Sequence, residues 1–150
     1  MLKNKNGMTL TALIMVLLVL AIIVGITVVS STDIIKNSAK SSLKTNLYLI
    51  KARAETLLED YLFDGTDNLG EEASSSQISS VGFTKDAEKY IYRVWDDSKL
   101  EEQGISTENV AESEIFIIQY DIVNDAVDVA STKGYEDEDG SYIYILSELD

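Results

Sequence analysis

The stretch from Lys3 to Asp33, KNKNGMTLTALIMVLLVLAIIVGITVVSSTD, decides how the rest of the chain can fold. Two lysines and a glycine precede twenty residues, Leu10–Val29, that carry no charge and only two hydroxyl groups. As an α-helix this run is about 30 Å long, which matches the hydrocarbon thickness of a bilayer. It therefore predicts a helix that can cross a membrane.

An apolar run of this kind can be a cleaved export signal or a plain membrane anchor, or it can be an element that acts after a cut at Gly7. A secretory signal has an apolar core of about 7–15 residues and then a small-x-small cleavage site. The run is longer than that, although a cleavage-site candidate exists near Val29–Ser31. The lysines before the run favour an amino terminus inside the cell, although a basic segment also follows it. We predict a single-pass cytoplasmic membrane protein with its carboxyl-terminal part outside.

Charge is distributed unevenly along the 150 residues, whose formal net charge is -14. Residues 1–35 carry +1, residues 36–53 carry +5 without any acidic side chain, and residues 54–150 carry -20. The chain is therefore basic beside the apolar run and strongly acidic beyond it. Because phosphate groups repel such an acidic surface, nucleic acid is not an expected partner.

The residue types that the chain lacks exclude several chemistries. It has no histidine and no cysteine, which removes the commonest general base, the commonest metal ligand and any disulfide. The sequence contains no nucleophile–base pair, phosphate-binding loop or metal-ligand spacing. It therefore predicts a protein that is not an enzyme, with no catalytic residues and no cofactor.

The apolar run is expected to continue into a second, amphipathic half of the same helix. No glycine lies between Gly25 and Gly65 and the chain has no proline, so nothing forces the helix to end. Beyond Asp33, apolar residues recur at the spacing of one helix face. They are Ile35, Ala39, Leu43, Leu47, Ile50, Ala54, Leu57, Leu58 and Tyr61. We predict one helix from Thr9 to Phe63, whose second half needs a covering partner.

The first part of the chain resembles a type IV prepilin, the precursor class of type IV pili, competence pili and type II secretion pseudopili. The resemblance rests on the short basic leader ending in Gly7, the MTLTALI segment after it, and the apolar run that merges into an amphipathic helix. It covers Lys3 to about Phe63. In that family a prepilin peptidase cuts after the glycine and methylates the new amino terminus. The resemblance therefore implies cleavage after Gly7 and N-methylation of Met8.

The resemblance also implies a division of the chain and a function. Its parts are a leader at 1–7, a transmembrane and assembly half of the helix at 8–32, an amphipathic half at 33–63 and an acidic globular head at 64–150. The implied function is a non-catalytic subunit that lies in the cytoplasmic membrane and then in an extracellular filament on the cell surface. Implied partners are other pilin subunits bound through the helix, the prepilin peptidase, the inner assembly platform and, before assembly, membrane lipid. The alternative is a membrane-anchored or secreted acidic binding domain with an ordinary signal or anchor segment.

One position departs from the pattern of the family. Most members have glutamate as the fifth residue after the cut, where it is thought to pair with a neighbouring subunit's amino terminus, and here that residue is Ala12. A carboxylate in hydrocarbon is stable only when a partner charge meets it. Members without the glutamate tend to be minor subunits, including one at the filament tip. The resemblance therefore implies a minor or tip subunit, and the alternative is that alanine is simply tolerated here.

Lys36, Lys40 and Lys44 follow one another at i, i+4 spacing, so they share one face of the predicted helix. This basic face is predicted to meet anionic headgroups or the acidic heads of neighbouring subunits. The alternative is the ordinary solvated face of an amphipathic helix.

The pattern of the carboxyl-terminal part indicates a head of the α+β class. Glu114–Val123, Ala126–Ala130 and Tyr142–Leu146 are rich in β-branched and aromatic residues, with turn signals at Asn124–Asp125 and Asp139–Gly140. These segments predict a three-stranded antiparallel sheet. The amphipathic half of the helix is expected to pack on it in a two-layer, pilin-like arrangement.

Two segments between the helix and this sheet are harder to assign. Residues 64–84 are rich in Gly, Ser, Asp and Asn and predict a loop that ends the long helix. Residues 86–95, DAEKYIYRVW, fit either a helix or a strand, and the helix is favoured.

Four consecutive acidic residues, Glu136–Asp139, precede the last predicted strand. Clustered carboxylates can bind Ca²⁺ through oxygen, and some pseudopilins that the chain resembles bind calcium in a carboxyl-terminal loop. Asp137 and Asp139 are therefore candidate calcium ligands. The spacing is not that of an EF-hand, and the alternative is a solvated acidic turn.

Overall fold

A computed structural model describes the backbone of residues 5–149 and the side chains of residues 12–21 and 34–149. The chain divides into two compact units, with the boundary between Ala39 and Lys40. The first helix contributes residues to both units, and the second unit contains the sheet.

Helix α1 spans Lys5–Asp64. Its end has a local cause, because Gly65 takes a positive φ of 79° and its N–H donates to the carbonyl of Tyr61 at 3.0 Å. A left-handed residue of this kind satisfies a free carbonyl at a helix end, and glycine adopts it with least strain. The helix therefore ends one residue beyond Phe63, where the sequence predicted its end.

Five strands form one antiparallel sheet in the order β1-β2-β3-β4-β5, so strands that are consecutive in sequence are neighbours in space. Helix α3 lies between β2 and β3 in the sequence, and a short 3-10 helix, Leu146–Glu148, follows β5. The α+β class is thereby confirmed. The bounds are β1 Glu71–Glu72, β2 Tyr90–Trp95, α3 Asp97–Glu102, β3 Phe116–Asp121, β4 Ala126–Glu136 and β5 Tyr142–Ile145.

The hairpin of β3 and β4 forms where the sequence predicted it. The Asp121 carboxylate accepts from the side-chain amide of Asn124 at 2.8 Å and from the backbone N–H groups of Asn124 and Val123 at 3.0 and 3.1 Å. These bonds, the Asn124 amide first, hold the pKa of Asp121 below its ordinary value. Asp125 completes the turn with a positive φ of 52°, which aspartate tolerates better than most residues.

Two predictions about the sheet are wrong. The sheet has five strands where three were predicted, and residues 86–95, favoured as a helix, contain strand β2. This strand pairs with β3 along its whole length, from Tyr90 opposite Asp121 to Trp95 opposite Phe116. Local periodicity fits both a helix and a strand, and the preference for a helix was wrong because a partner that is distant in sequence decides between them.

The predicted loop at residues 64–84 contains two short elements. Strand β1 pairs with β2, and helix α2 spans Ser75–Ser80. Ser74 caps α2 by accepting from the backbone N–H of Gln77, whose side chain accepts from the backbone N–H of Ser74 at 2.8 Å. This capping box explains how a serine-rich segment forms a helical turn.

The sheet is covered on both faces, and the amphipathic half of α1 covers one of them. One core cluster joins Leu47, Ile50, Ala54 and Leu58 of α1 to Trp95, Leu100, Phe116, Ile118, Tyr120, Val127, Val129, Leu146 and Leu149, with Leu69 among them. The cluster on the opposite face joins Ala73, Ile78, Val81 and Phe83 to Tyr92, Ile117, Ala130 and Ile145. The predicted helix stripe is therefore confirmed from Leu43 to Tyr61, whereas Ile35 and Ala39 are exposed.

Candidate assembly surface

The described part of the apolar run, Ala12–Ala21, exposes every one of its side chains. The exposed fractions of its eight large residues, Leu13–Leu20, lie between 51% at Leu20 and 63% at Met15. Because no polar residue interrupts them, they surround the helix instead of forming one stripe. We call Ala12–Ala21 the apolar collar.

Exposure of the apolar collar to water is energetically unfavourable, and burial against any apolar surface lowers its free energy. Full burial of one Leu, Ile, Val or Met side chain contributes about 1.5–3 kcal/mol. For eight half-exposed side chains the gain from a complete cover is on the order of 10 kcal/mol. The collar therefore suits insertion into hydrocarbon or packing against other apolar helices, and it has no group for acid–base chemistry.

Several predicted residues of this segment lie outside the described part. Within the described residues, no helix combines the length and the apolarity needed to span a bilayer. The side chains at both ends of the predicted span Leu10–Val29 are not among those described, and neither are Gly7 and Met8. Ala12 is described, and it is exposed on α1.

The structure places the predicted basic face partly against aromatic rings. Lys36 is exposed. The ammonium of Lys40 lies 5.7 Å from the centre of the Tyr135 ring, and that of Lys44 lies 5.9 Å from the centre of the Tyr48 ring. Both distances are within the range of cation–π attraction. Two of the three lysines thus pack on rings of this chain, which their spacing alone did not predict.

A buried pair of hydrogen bonds, which sequence reasoning missed, ties the segment after α1 to the sheet. The carbonyl of Leu69 accepts from the indole N–H of Trp95 at 2.7 Å and from the hydroxyl of Tyr120 at 3.0 Å. Burial raises the pKa of Tyr120 well above its usual range, so its hydroxyl stays a neutral donor. The two donors are 26 and 51 positions from Leu69, so no local pattern marks them.

A shallow groove of about 470 Å³ lies beside β1 and α3. The ammonium of Lys99 donates to Asn68 at 2.7 Å and to Glu102 at 2.9 Å. The hydrogen bond and the charge of Lys99 hold the pKa of Glu102 below its ordinary value. Next to the groove, the guanidinium of Arg93 donates to Asp67 at 3.1 Å. The sequence did not predict this groove, because β1 pairing brings together residues far apart along the chain. Its acidic lining residues are Asp67, Glu71, Asp96 and Glu102.

Two carboxylates of the acidic turn before β5 accept hydrogen bonds from neighbouring residues of the turn. Asp139 accepts from the hydroxyl and the backbone N–H of Ser141 at 2.6 and 2.9 Å, and these bonds hold the pKa of Asp139 below its ordinary value. Asp137 accepts from the backbone N–H of Glu138 at 2.8 Å. Across the described side chains, no group of three or more acidic residues is arranged to hold a metal ion. The structure thus adds no third ligand to Asp137 and Asp139.

Comparison with protein-family models, curated proteins and solved structures finds no match to this chain. The case for a function therefore rests on its own residues, above all on the apolar collar and on the core that the same helix forms with the sheet.

Proposed function

We propose that this protein is a non-catalytic structural subunit, a minor or tip pilin or pseudopilin, of a type IV pilus, competence pilus or type II secretion-like filament. One observation supports this role above the others. Helix α1 carries an exposed apolar collar at Ala12–Ala21 and core residues of the head at Leu47–Leu58. The same helix thus supplies core residues to the head and carries an exposed apolar segment that calls for an apolar partner.

In the proposed mechanism the collar has two successive apolar environments. Lipid covers the segment first, when the protein lies in the cytoplasmic membrane with its amino terminus inside and its head outside. Neighbouring subunits cover it later, when the helix leaves the membrane and packs in a filament. Because lipid tails and apolar side chains solvate Leu13–Leu20 about equally well, the transfer needs no large hydrophobic driving force.

Maturation and position in the filament follow from two residues near the amino terminus. A prepilin peptidase cuts after Gly7, and Met8 becomes the methylated amino terminus. Helix α1 begins at Lys5, before the predicted start at Thr9, so cleavage requires its first turn to unwind, and glycine lowers the cost of that unwinding. Ala12 provides no carboxylate to pair with the amino terminus of another subunit. A subunit without that pairing fits a minor or tip position better than the repeating one.

The native amino terminus is the decisive measurement. Mass spectrometry of protein from the native host is expected to find a chain that begins at N-methylated Met8. Gly7→Val should leave the leader attached, whereas a glycine substitution in the head, Gly140→Ala, should be processed normally.

An intact Met1, or a start near Ser31, would instead support the second candidate, a membrane-anchored or secreted acidic binding domain. The acidic groove at Asp67–Glu71 favours that second candidate.

A gain-of-charge variant tests the minor or tip position. If Ala12 limits this subunit to few places in a filament, Ala12→Glu should disturb assembly or leave the copy number low. Ala12→Ser serves as a control of similar size without charge. A several-fold rise in copy number with normal filaments would contradict the special position and favour the view that alanine is simply tolerated.

A further inference from the structure

The two edges of the sheet differ in how far they are protected. Strand β1 at one edge has only two residues, both glutamates, Glu71 and Glu72. Short length and charge are common ways to prevent an edge from pairing with another strand. Strand β5 at the other edge, Tyr142–Ile145, has four residues and carries neither charge nor proline. Within the described residues, no backbone hydrogen bond joins β5 to any strand other than β4.

Strand β5 is anchored by packing although its outer edge is free. Ile145 at its carboxyl end and Leu146 directly after it are buried, one in each core cluster. The ring of Tyr144 lies against Gly134, where a Cβ atom would come within 2.6 Å of it, and stacks on the ring of Tyr142 at a centroid distance of 6.1 Å. Because alternate residues of an edge strand direct N–H and C=O groups outward, β5 is an ordered template for another strand.

The charges around β5 indicate what kind of strand fits. From Gly134 to Asp150 the sequence has six acidic residues and no basic one. Four of them, Glu136–Asp139, lie at the end of β4 and in the turn that leads into β5, and Glu148 follows β5 in the 3-10 helix. The nearest basic residues are Lys133 on β4 and Lys40 on α1, and the Lys40 ammonium lies over the ring of Tyr135 on β4. A second copy of this chain, with a net charge of -14, would bring like charges together at this edge. A cationic segment meets them with opposite charge.

We propose that the outer edge of β5 binds an extended, cationic segment of a partner protein, which pairs with Tyr142–Ile145 as a sixth strand. Backbone hydrogen bonds supply much of the affinity of this binding mode, and side chains supply its specificity. The stacked rings of Tyr142 and Tyr144 contact alternate apolar side chains of the partner, and lysines or arginines at its ends meet Glu136–Asp139 and Glu148. The edge belongs to the head, so this role does not depend on the filament role.

Three synthetic peptides test the proposal on the full-length protein in a mild detergent. The first alternates valine and threonine between paired lysines at both ends, the second has glutamates in place of the lysines, and the third is the lysine peptide with alternate backbone nitrogens methylated. Fluorescence anisotropy should detect binding of the lysine peptide at concentrations up to about 1 mM, and of neither other peptide. Hydrogen exchange should slow at Tyr142–Ile145 when the lysine peptide binds.

Two variants with the same change in charge identify the surface. Tyr142→Lys places a cation on the edge and should weaken binding of the lysine peptide at least about fivefold, because like charges then meet. Val123→Lys makes the same change at an exposed position of the β3–β4 turn and should leave binding unchanged. Three results would overturn the proposal: no binding of the lysine peptide, equal binding of the methylated peptide, or equal weakening by both variants. Self-association of the chain through β5 would overturn the choice of a cationic partner.

Discussion

Two stretches of helix α1 differ both in the pattern of their apolar residues and in their surroundings. At Ala12–Ala21 the side chains are apolar on every side and all are exposed. Between Leu47 and Leu58 apolar side chains occupy one side, and Leu47, Ile50, Ala54 and Leu58 are almost completely buried against the sheet. A helix with one apolar stripe finds its partner within its own chain, whereas a helix that is apolar all round needs a partner outside it.

The two stretches therefore differ in how they contribute to folding stability. The unit that begins at Lys40 has its own core, and the apolar area buried in that core is expected to stabilise it. No residue of the collar is among the buried residues of that core, and its described side chains are exposed. Four pairs of substitutions, each with one enclosed and one exposed member, test how far enclosure sets the energetic weight of a residue.

The largest effect is expected from truncating an apolar residue on each stretch. Ile50→Ala should lower the free energy of unfolding of the head by about 2–5 kcal/mol, because it leaves a cavity between α1 and the sheet. Leu17→Ala, in the collar, should change it by less than about 0.5 kcal/mol. Urea unfolding of the full-length chain in mild detergent measures both through the fluorescence of its single tryptophan, Trp95. Equal losses would show that the collar belongs to the core of the head.

The second pair compares two glycines with positive φ. Gly70 has a φ of 117°, and a Cβ there would lie 2.8 Å from the Trp95 ring. Gly70→Ala should therefore cost about 2–4 kcal/mol through backbone strain and overpacking. Gly65, with a φ of 79°, has open space around it, and Gly65→Ala should cost only about 1 kcal/mol. The same urea experiment measures both. Similar losses would mean that φ alone, without the contact to Trp95, sets the cost.

The third pair concerns two tyrosines and pH. Burial raises the pKa of Tyr120 above the ordinary value near 10, so at higher pH the unfolded chain loses this proton while the folded chain keeps it. Below pH 10 the buried hydroxyl of Tyr120 contributes its full stabilisation of the fold. Above pH 10 the free energy of unfolding should fall by up to about 1.4 kcal/mol per pH unit. Tyr120→Phe should make this fall shallower and cost about 1 kcal/mol at neutral pH.

Tyr142 is the exposed control for Tyr120. The charge of Glu136 raises the pKa of Tyr142 as well, but solvent screens an exposed group. Tyr142→Phe should therefore leave the alkaline loss of stability almost unchanged. Unfolding midpoints measured between neutral pH and pH 11 give the pH dependence of each variant. If Tyr120→Phe and Tyr142→Phe altered it equally, the role of Tyr120 would be contradicted.

The smallest effect is expected from the basic face. Lys40→Ala removes a contact with the Tyr135 ring and should cost about 0.5 kcal/mol. Lys36→Ala, at an exposed position, should have no measurable effect on the stability of the head. If both lysines meet other subunits, filament incorporation should nevertheless fall in both variants. A loss of incorporation limited to Lys40→Ala would point to head stability as its cause.

Local sequence predicted those elements whose signals lie within a few residues. The end of α1 follows from Gly65, the β3–β4 hairpin from the turn at Asn124–Asp125, and the burial of Leu47–Leu58 from helical spacing. The two-residue strand β1 and the strand nature of Tyr90–Trp95 were missed. Their hydrogen-bond partners are distant in sequence, and burial along β2 does not alternate from one residue to the next.

The features of the candidate site also fall into those that local sequence predicts and those that depend on long-range contacts. The apolar collar and the basic face were evident from composition and spacing. The pairing of Lys40 with Tyr135, the convergence of Trp95 and Tyr120 on Leu69, and the acidic groove were not. Each joins residues separated by tens of positions, and such contacts depend on which strands pair.

That one long helix carries two kinds of surface follows from hydrophobic periodicity, which is a property of neighbouring residues. The folded chain shows how the two surfaces are treated: strands β2 to β4 cover the stripe at Leu47–Leu58, while the described side chains at Ala12–Ala21 remain exposed. Only the tertiary structure decided that β1 protects one edge of the sheet while β5 leaves the other open, because strand order follows from long-range pairing and cannot be read from any local segment.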